Sequence, residues 1–245
     1  MSDPLVQFER AGAVVTLTLN RPGQRNALNL ALWGELAGHL ETIETLGSEI
    51  AVVVLRANGP VFCAGNDLKE RGTKAPSRFY QAKLVTRLAD LPQAVIVAVQ
   101  GGCFTGGLEL VLAGDIIVAS ESASFADTHG KFALVPAWGM SQRLPRRVGQ
   151  WKAREMSLTG LPVSGAEAAR IGLANHCVPD ADLDARVGEL AAAIAAQSRH
   201  STFAYTRLYR EQADLPLAAG LAHEVFGSTG VGPDFAERVA GKFGK

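Results

Sequence analysis

The sequence predicts an α/β fold in which one β-β-α unit recurs as successive turns of a coil, with a helical extension at the C-terminal end. Three observations predict it. Strand-type and helix-type segments interleave from the N-terminus up to Trp151. Two stretches, "AVVVLRANGPVFCAGNDL" and "AVIVAVQGGCFTGGLEL", share one order of parts: an apolar strand, a glycine-bearing turn, a small-residue loop, then an acid just inside a new helix. Beyond Trp151 the β signals fade and helical spacing takes over.

Taken in chain order, residues 1–20 alternate as a short β segment, with "AVVTLTLN" rich in β-branched residues, and "RPGQRN" follows as a turn. "ALNLALWGELAGHLETIE" places Leu28, Leu32, Leu36, Leu40 and Ile43 at helical intervals. Residues 51–59 read as a buried strand, 77–91 as a helix and 94–101 as a second buried strand. "TGGLELVLAGD" is then a short apolar helix, and "DIIVASESASFA" is further β structure. "VSGAEAARIG" carries a capping box, Ser164 with Glu167, and Gly172 is a helix stop. "DLDARVGELAAAIAAQS" is an amphipathic helix, and helical pattern continues from Thr202 to the end. The domain reading is a core over 1–195 and an extension over 196–245, whose Phe203, Tyr205, Leu208, Leu217, Leu221 and Phe226 ask for a partner surface such as another subunit.

Composition narrows the function classes. Lys and Arg total 24, as do Asp and Glu, so no long-range field favours nucleic acid or an anionic membrane surface. No apolar run approaches the length of a membrane span, and the N-terminus "MSDPLVQFER" has no targeting pattern, so the expected location is cytoplasmic. The three cysteines, Cys63, Cys103 and Cys177, form no C-x-x-C pair, which argues against a disulfide framework or a zinc site. No metal is expected.

The two glycine loops carry the chemistry. Amides in the first turn of a helix lack intrahelical acceptors and point outward with the positive end of the dipole behind them. Gly106 and Gly107 let a carbonyl oxygen or an anion approach those amides, and "CAGND" offers a second donor from the neighbouring turn of the coil. Two converging N–H groups describe an oxyanion hole, each donor being worth roughly 3 kcal/mol to a developing negative charge.

Here the chain resembles the enoyl-CoA hydratase/isomerase (crotonase) family over nearly its whole length. The resemblance rests on "RPGQRNALN", "VFCAGNDLKE", "TGGLELVLAGDIIVAS", "FADTHGKFALVPAWGMSQRLPRRVG" and "SLTGLPVSGAEAARIGLANHCVP", five segments in family order. It implies the crotonase-like spiral fold and enoyl-CoA hydration. The amides of Asn66 and Gly106 would form the hole for a CoA thioester carbonyl, and Glu109 would activate the water. Arg25, Ala27, Leu28, the loop Ala64, Gly65, Asp67 and Leu68, together with Gly107, would line the CoA path. Phe243 of a neighbouring subunit would join them, giving the extension a role in oligomerisation and active-site capping. Coenzyme A enters as part of the substrate with no permanently bound cofactor, and the assembly would be a homotrimer or a dimer of trimers.

One position departs from the pattern. Hydratases of this family carry a second glutamate where, counting back without a gap from Gln142-Arg143-Leu144, this chain has His129. His129 as acid or base, Asp127 as substitute, or Glu109 acting alone all remain open; in a strand, Asp127 and His129 would share a face. Burial would raise the pKa of Glu109 and the helix N-terminus would lower it, and the sequence leaves the winner open. Family members also isomerise double bonds, decarboxylate or hydrolyse thioesters, and a non-catalytic acyl-CoA-binding subunit is the reading from another class. Cys63 and Cys103 read as core residues, Ser141 lacks the setting of a nucleophile elbow, and Arg143, Arg146 and Arg147 read as a solvated basic face.

Overall fold

The computed structural model describes residues 3–70 and 74–243 of the chain. Strands β1 (Val6–Ala11) and β2 (Val14–Leu19) form an antiparallel hairpin across Gly12, whose φ of 60° suits a residue without a Cβ. Helix α1 (Leu30–Leu46) starts at Asn29, whose side chain accepts the Leu32 amide as an N-cap should. It leads into β3 (Val52–Ala57), α2 (Tyr80–Ala89) and β4 (Ala94–Val99). Next come β5 (Gly102–Phe104), α3 (Gly106–Val111), β6 (Ile116–Ser120) and β7 (Ser124–Ala126). The chain continues through α4 (Met140–Val148), α5 (Gln150–Thr159), β8 (Val163–Ser164), α6 (Gly165–Arg170) and β9 (His176–Val178). Helices α7 (Leu183–Ala195), α8 (Arg199–Gln212), α9 (Leu217–Gly227) and α10 (Phe235–Phe243) close it.

A six-stranded sheet in the order β1-β2-β3-β4-β6-β9 is parallel from β2 onward. Its central strands read as unbroken apolar runs because both faces are covered. Val53, Leu55, Val95 and Val97 point into the cluster that holds Leu32, Leu36 and Leu40 of α1, whereas Val52, Val54, Ile96 and Ala98 point at Leu183, Val187 and Ala191 of α7. A period of two thus sorts one strand's side chains into two cores.

The internal repeat corresponds to a stacked coil. A smaller sheet, β5-β7-β8, runs beside the large one, and an isolated parallel bridge joins Cys63 to Cys103 while Cys103 pairs with Phe125. Successive turns are stitched by Cys63 N–H to the Gly102 carbonyl (3.0 Å) and Phe104 N–H to the Cys63 carbonyl (2.9 Å). This stitching lays the two glycine loops side by side.

Three details differ from expectation. Asp67 heads a 3-10 turn, Leu68–Glu70, and among the described residues the next helix starts at Tyr80. The β content does not end at Trp151, since β8 and β9, of two and three residues, are too short to show a period. Ser164 caps α6 by accepting the Glu167 amide at 3.2 Å, but Glu167 pairs with Arg170 instead of reaching back to complete a box. Among the described residues, no helix is long and apolar enough to cross a membrane.

Candidate active site

Asn26 shapes the first wall. Fully buried, its Oδ1 accepts the Arg21 amide (2.7 Å) and its Nδ2 donates to the carbonyls of Asn58 (2.9 Å) and Val61 (2.8 Å). The residues after it run alongside the 63–67 loop: Leu28 N–H donates to the Gly65 carbonyl at 2.8 Å and the Leu28 carbonyl accepts from Asp67 N–H at 3.0 Å. Gly65, with φ of 100°, lies so close to the start of α3 that a Cβ on it would stand 3.0 Å from the Phe104 carbonyl and 3.3 Å from the Gly106 amide nitrogen. That contact brings Asn66 next to Gly106.

In these two loops the amides of Cys63, Ala64, Asp67, Phe104 and Thr105 all donate to backbone carbonyls. The amides of Asn66 and Gly106 have no acceptor among the described residues, and both residues border one cavity of about 190 Å³. Ala64, Leu68, Thr105, Glu109, His129, Phe132, Leu134, Val135, Ala137 and Trp138 complete its lining. The hole donors, Glu109 and His129 therefore share one space.

Glu109 sits one helical turn beyond Gly106 and is only 2% exposed. Its Oε1 accepts the amides of Trp138 (2.7 Å) and Met140 (3.2 Å), so the N-terminus of α4 holds the carboxylate from across the cavity. Burial pushes its pKa up; the two amides and the nearby His129 pull it down, the charge of Asp127 adds to the rise, and the net result lies above the ordinary glutamate value. Burial wins the contest that the sequence left undecided.

His129 is not on a strand. β7 ends at Ala126, and His129 opens a 3-10 turn whose first amide donates to Asp127 Oδ1 at 3.2 Å. The same carboxylate oxygen stands 2.6 Å from His129 Nδ1, and His129 Nε2 lies 3.6 Å from Glu109 Oε2. Asp127 is buried, which by itself would raise its pKa, but hydrogen bonds from His129 and Ser157 outweigh burial and leave it below the usual aspartate value. An ionised Asp127 holds the proton of the imidazole on Nδ1 and turns Nε2 toward Glu109. Three side chains thus form one buried chain, Asp127–His129–Glu109.

Several sequence-derived positions lie elsewhere. Leu28 is fully buried and meets the loop only through its backbone, and the Asp67 carboxylate is engaged by Arg21 at 3.1 Å. Gly107 faces Cys63, where a Cβ would come within 2.7 Å of the carbonyl oxygen, so its missing side chain serves packing between coil turns and opens no ligand path. Arg25 is exposed and Ala27 half-buried, and neither borders the cavity. Phe243 ends α10, and its side chain lies outside the described residues. The basic run is not merely solvated: Arg143 donates to the Trp138 carbonyl (2.8 Å) and Arg147 to the Asp115 carbonyl (3.0 Å), while Arg146 pairs with Asp214 (2.8 Å). Burial pushes the Cys63 thiol up to about 12 and raises that of Cys103, so neither supplies a thiolate.

Sequence reasoning missed the amides of Trp138 and Met140 as holders of Glu109 and the pairing of Asp127 with His129. Only Gly139, which has φ of 117° at the start of α4, marks that turn in the sequence.

Comparison with known proteins is consistent across sequence and structure. The family model described as enoyl-CoA hydratase/isomerase matches residues 9–232. The chain is 36% identical over 228 residues to 2,3-dehydroadipyl-CoA hydratase of Escherichia coli, covering 91% of this chain and 88% of that one. It superposes on the crystal structure of an enoyl-CoA hydratase from Bacillus anthracis with a TM-score of 0.91 at 33% identity, over 97% of this chain and 96% of the other. A Thermobifida fusca structure in complex with acetoacetyl-CoA matches with a TM-score of 0.81 at 29% identity, over 91% and 92% of the two chains.

Proposed function

The chain belongs to the enoyl-CoA hydratase/isomerase family, and on that premise we propose that it adds water across the double bond of a 2-trans-enoyl-CoA. One observation carries the reading: two amides with no acceptor among the described residues and a buried acid facing an imidazole at 3.6 Å border the same small cavity. The substrate is the acyl-CoA thioester itself, and the reaction calls for no other cofactor.

Asn66 and Gly106 donate to the thioester oxygen, where charge develops as water adds to C3. Ionised Glu109, its Oε1 fixed by Trp138 and Met140, takes a proton from the water through Oε2. The water oxygen bonds to C3, the π electrons move onto the thioester as an enolate, and C2 takes a proton from His129 Nε2 in its imidazolium form. The proton on Glu109 then returns to His129, which closes the cycle. His129 fills the place of the second glutamate, and Asp127 acts through it as a positioning residue. A carboxylate whose pKa is raised toward neutrality is a better base than an exposed one.

Loss of the conjugated thioester absorbance on incubation with a four-carbon 2-enoyl-CoA tests the reading. Steady loss is the expected result; binding without loss overturns it in favour of a non-catalytic binder, and absorbance gained from a 3-enoyl-CoA would point to double-bond isomerisation instead.

The extension over 196–245 fits a homotrimer or a dimer of trimers, with residues near Phe243 capping a neighbour's site. Support comes from α9, which buries no residue and exposes Leu217, Leu221, Val225 and Phe226, and from Trp151 and Leu158 on α5. Light scattering should report three or six times the chain mass; a stable monomer would contradict this assembly.

A further inference from the structure

We propose that the Trp138 indole is the end wall of the acyl site and limits it to short 2-enoyl groups. The cavity measures about 190 Å³. It is small and partly open, and Trp138 is one of the residues that line it. Cavities for larger ligands start at about 300 Å³.

The half-buried ring is held by three contacts. A Cβ placed on Gly106 would lie 2.4 Å from Trp138 Cζ3, so the ring rests on the peptide that carries one of the two hole donors. Any acyl chain leaving the hole toward α4 meets the indole at once. The fully buried Trp33 ring of α1 packs edge-on against it, with centroids 5.3 Å apart and planes at 83°, which anchors the indole to the core. Its backbone is held as well, the amide by Glu109 Oε1 and the carbonyl by Arg143 Nη1.

Space for a longer chain exists on the other side. A shallow, open groove of about 670 Å³ runs along α2 and the 137 turn, with Phe79, Ala82, Leu91 and Pro92 on its floor and the charged Glu44, Lys83, Arg87 and Asp90 along it. Ala137 borders both this groove and the small cavity, and Arg143, which clamps Trp138, also reaches Thr86 at 3.5 Å. Removing the indole would open the small cavity toward the larger groove. Tryptophan at this position therefore separates a short-chain site from a potential long-chain one.

The inference rests on the acyl-CoA reading above but not on hydration itself. Dissociation constants for saturated acyl-CoAs of four, six, eight and ten carbons, measured by calorimetry on the full chain, are compared for the wild type, Trp138→Ala and Trp138→Phe. In a closed apolar pocket one misfitting methylene costs on the order of 10- to 200-fold. Wild-type affinity is expected to fall at least about tenfold from six to ten carbons, Trp138→Ala to raise the ten-to-four-carbon affinity ratio at least about tenfold, and Trp138→Phe to fall between. Activity ratios on the matching 2-enoyl-CoAs should follow the same order. A flat wild-type profile, or Trp138 variants that keep the wild-type ratio, overturns the proposal. Should Trp138→Ala fail to fold, Trp138→Phe and Trp138→Leu carry the comparison. Graded binding without turnover would remove the hydratase reading and leave the wall standing, and no binding at any length would remove both.

Discussion

Glu109→Gln is expected to lower kcat/KM for hydration of a 2-enoyl-CoA by about a thousandfold, within the range general acid–base groups contribute, and to leave the dissociation constant for a saturated acyl-CoA within a few-fold. The substitution is nearly isosteric, and the amide oxygen can still accept from Trp138 and Met140, so the turn before α4 stays seated. What disappears is the proton acceptor. An activity loss of less than tenfold would remove Glu109 from the chemistry. The pH dependence is a second readout. Because burial raises the Glu109 pKa, the acid limb of kcat/KM should lie above the ordinary glutamate range, and activity should fall as the pH drops through it. The stability sign is the reverse of a salt-bridged acid. A carboxyl whose folded pKa is raised stabilises the fold fully only below its unfolded value, about 4.3, and that contribution is lost as pH rises through the folded value. Relative to wild type, the Gln variant should therefore gain Tm between mildly acidic and neutral pH.

His129→Ala should cost about a hundredfold in kcat with little change in KM, since in the proposed mechanism the imidazole protonates C2 and does not hold the CoA. Asp127→Asn should cost less, because it leaves the imidazole in place but weakens control of which ring nitrogen carries the proton. The decisive measurement is the double variant. If Asp127 acts only through His129, adding Asp127→Asn to His129→Ala should lower kcat no further, whereas independent sites would multiply their losses. Multiplication would assign Asp127 a role of its own in the water or proton step. The 2.6 Å contact and the shared burial of the two side chains favour the coupled outcome.

How much of this was legible in the sequence follows physical lines. β3 and β4 were readable because strands covered on both faces must be apolar without interruption, and the glycine loops because an unhindered amide needs a residue without a Cβ. Glu109 was readable as an acid in an otherwise apolar helix. The partners of that acid were not, since Trp138 lies 29 residues along the chain and contributes only a backbone group, which no side-chain pattern encodes. Asp127 and His129 were correctly grouped for the wrong reason: a side chain capping a 3-10 turn, and not strand alternation, brings them together. The side chains of Leu28 and Asp67 turn away from the cavity, which adjacency along the chain does not reveal. In both cases the backbone stays with the loop while the side chain is consumed by the core or by Arg21.

Because the two donors proposed for the thioester oxygen are peptide groups, no side-chain replacement that keeps the backbone in place can delete them. The proton-handling groups are different: apart from Glu109, all of them sit within the contiguous stretch 127–140. In the proposed mechanism, electrophile activation and proton traffic meet only at α3, which carries both Gly106 and Glu109. The remaining proton-handling groups and the residues that hold them thus come from one loop laid against that helix, through Thr128 on Thr105 and Trp138 on Gly106.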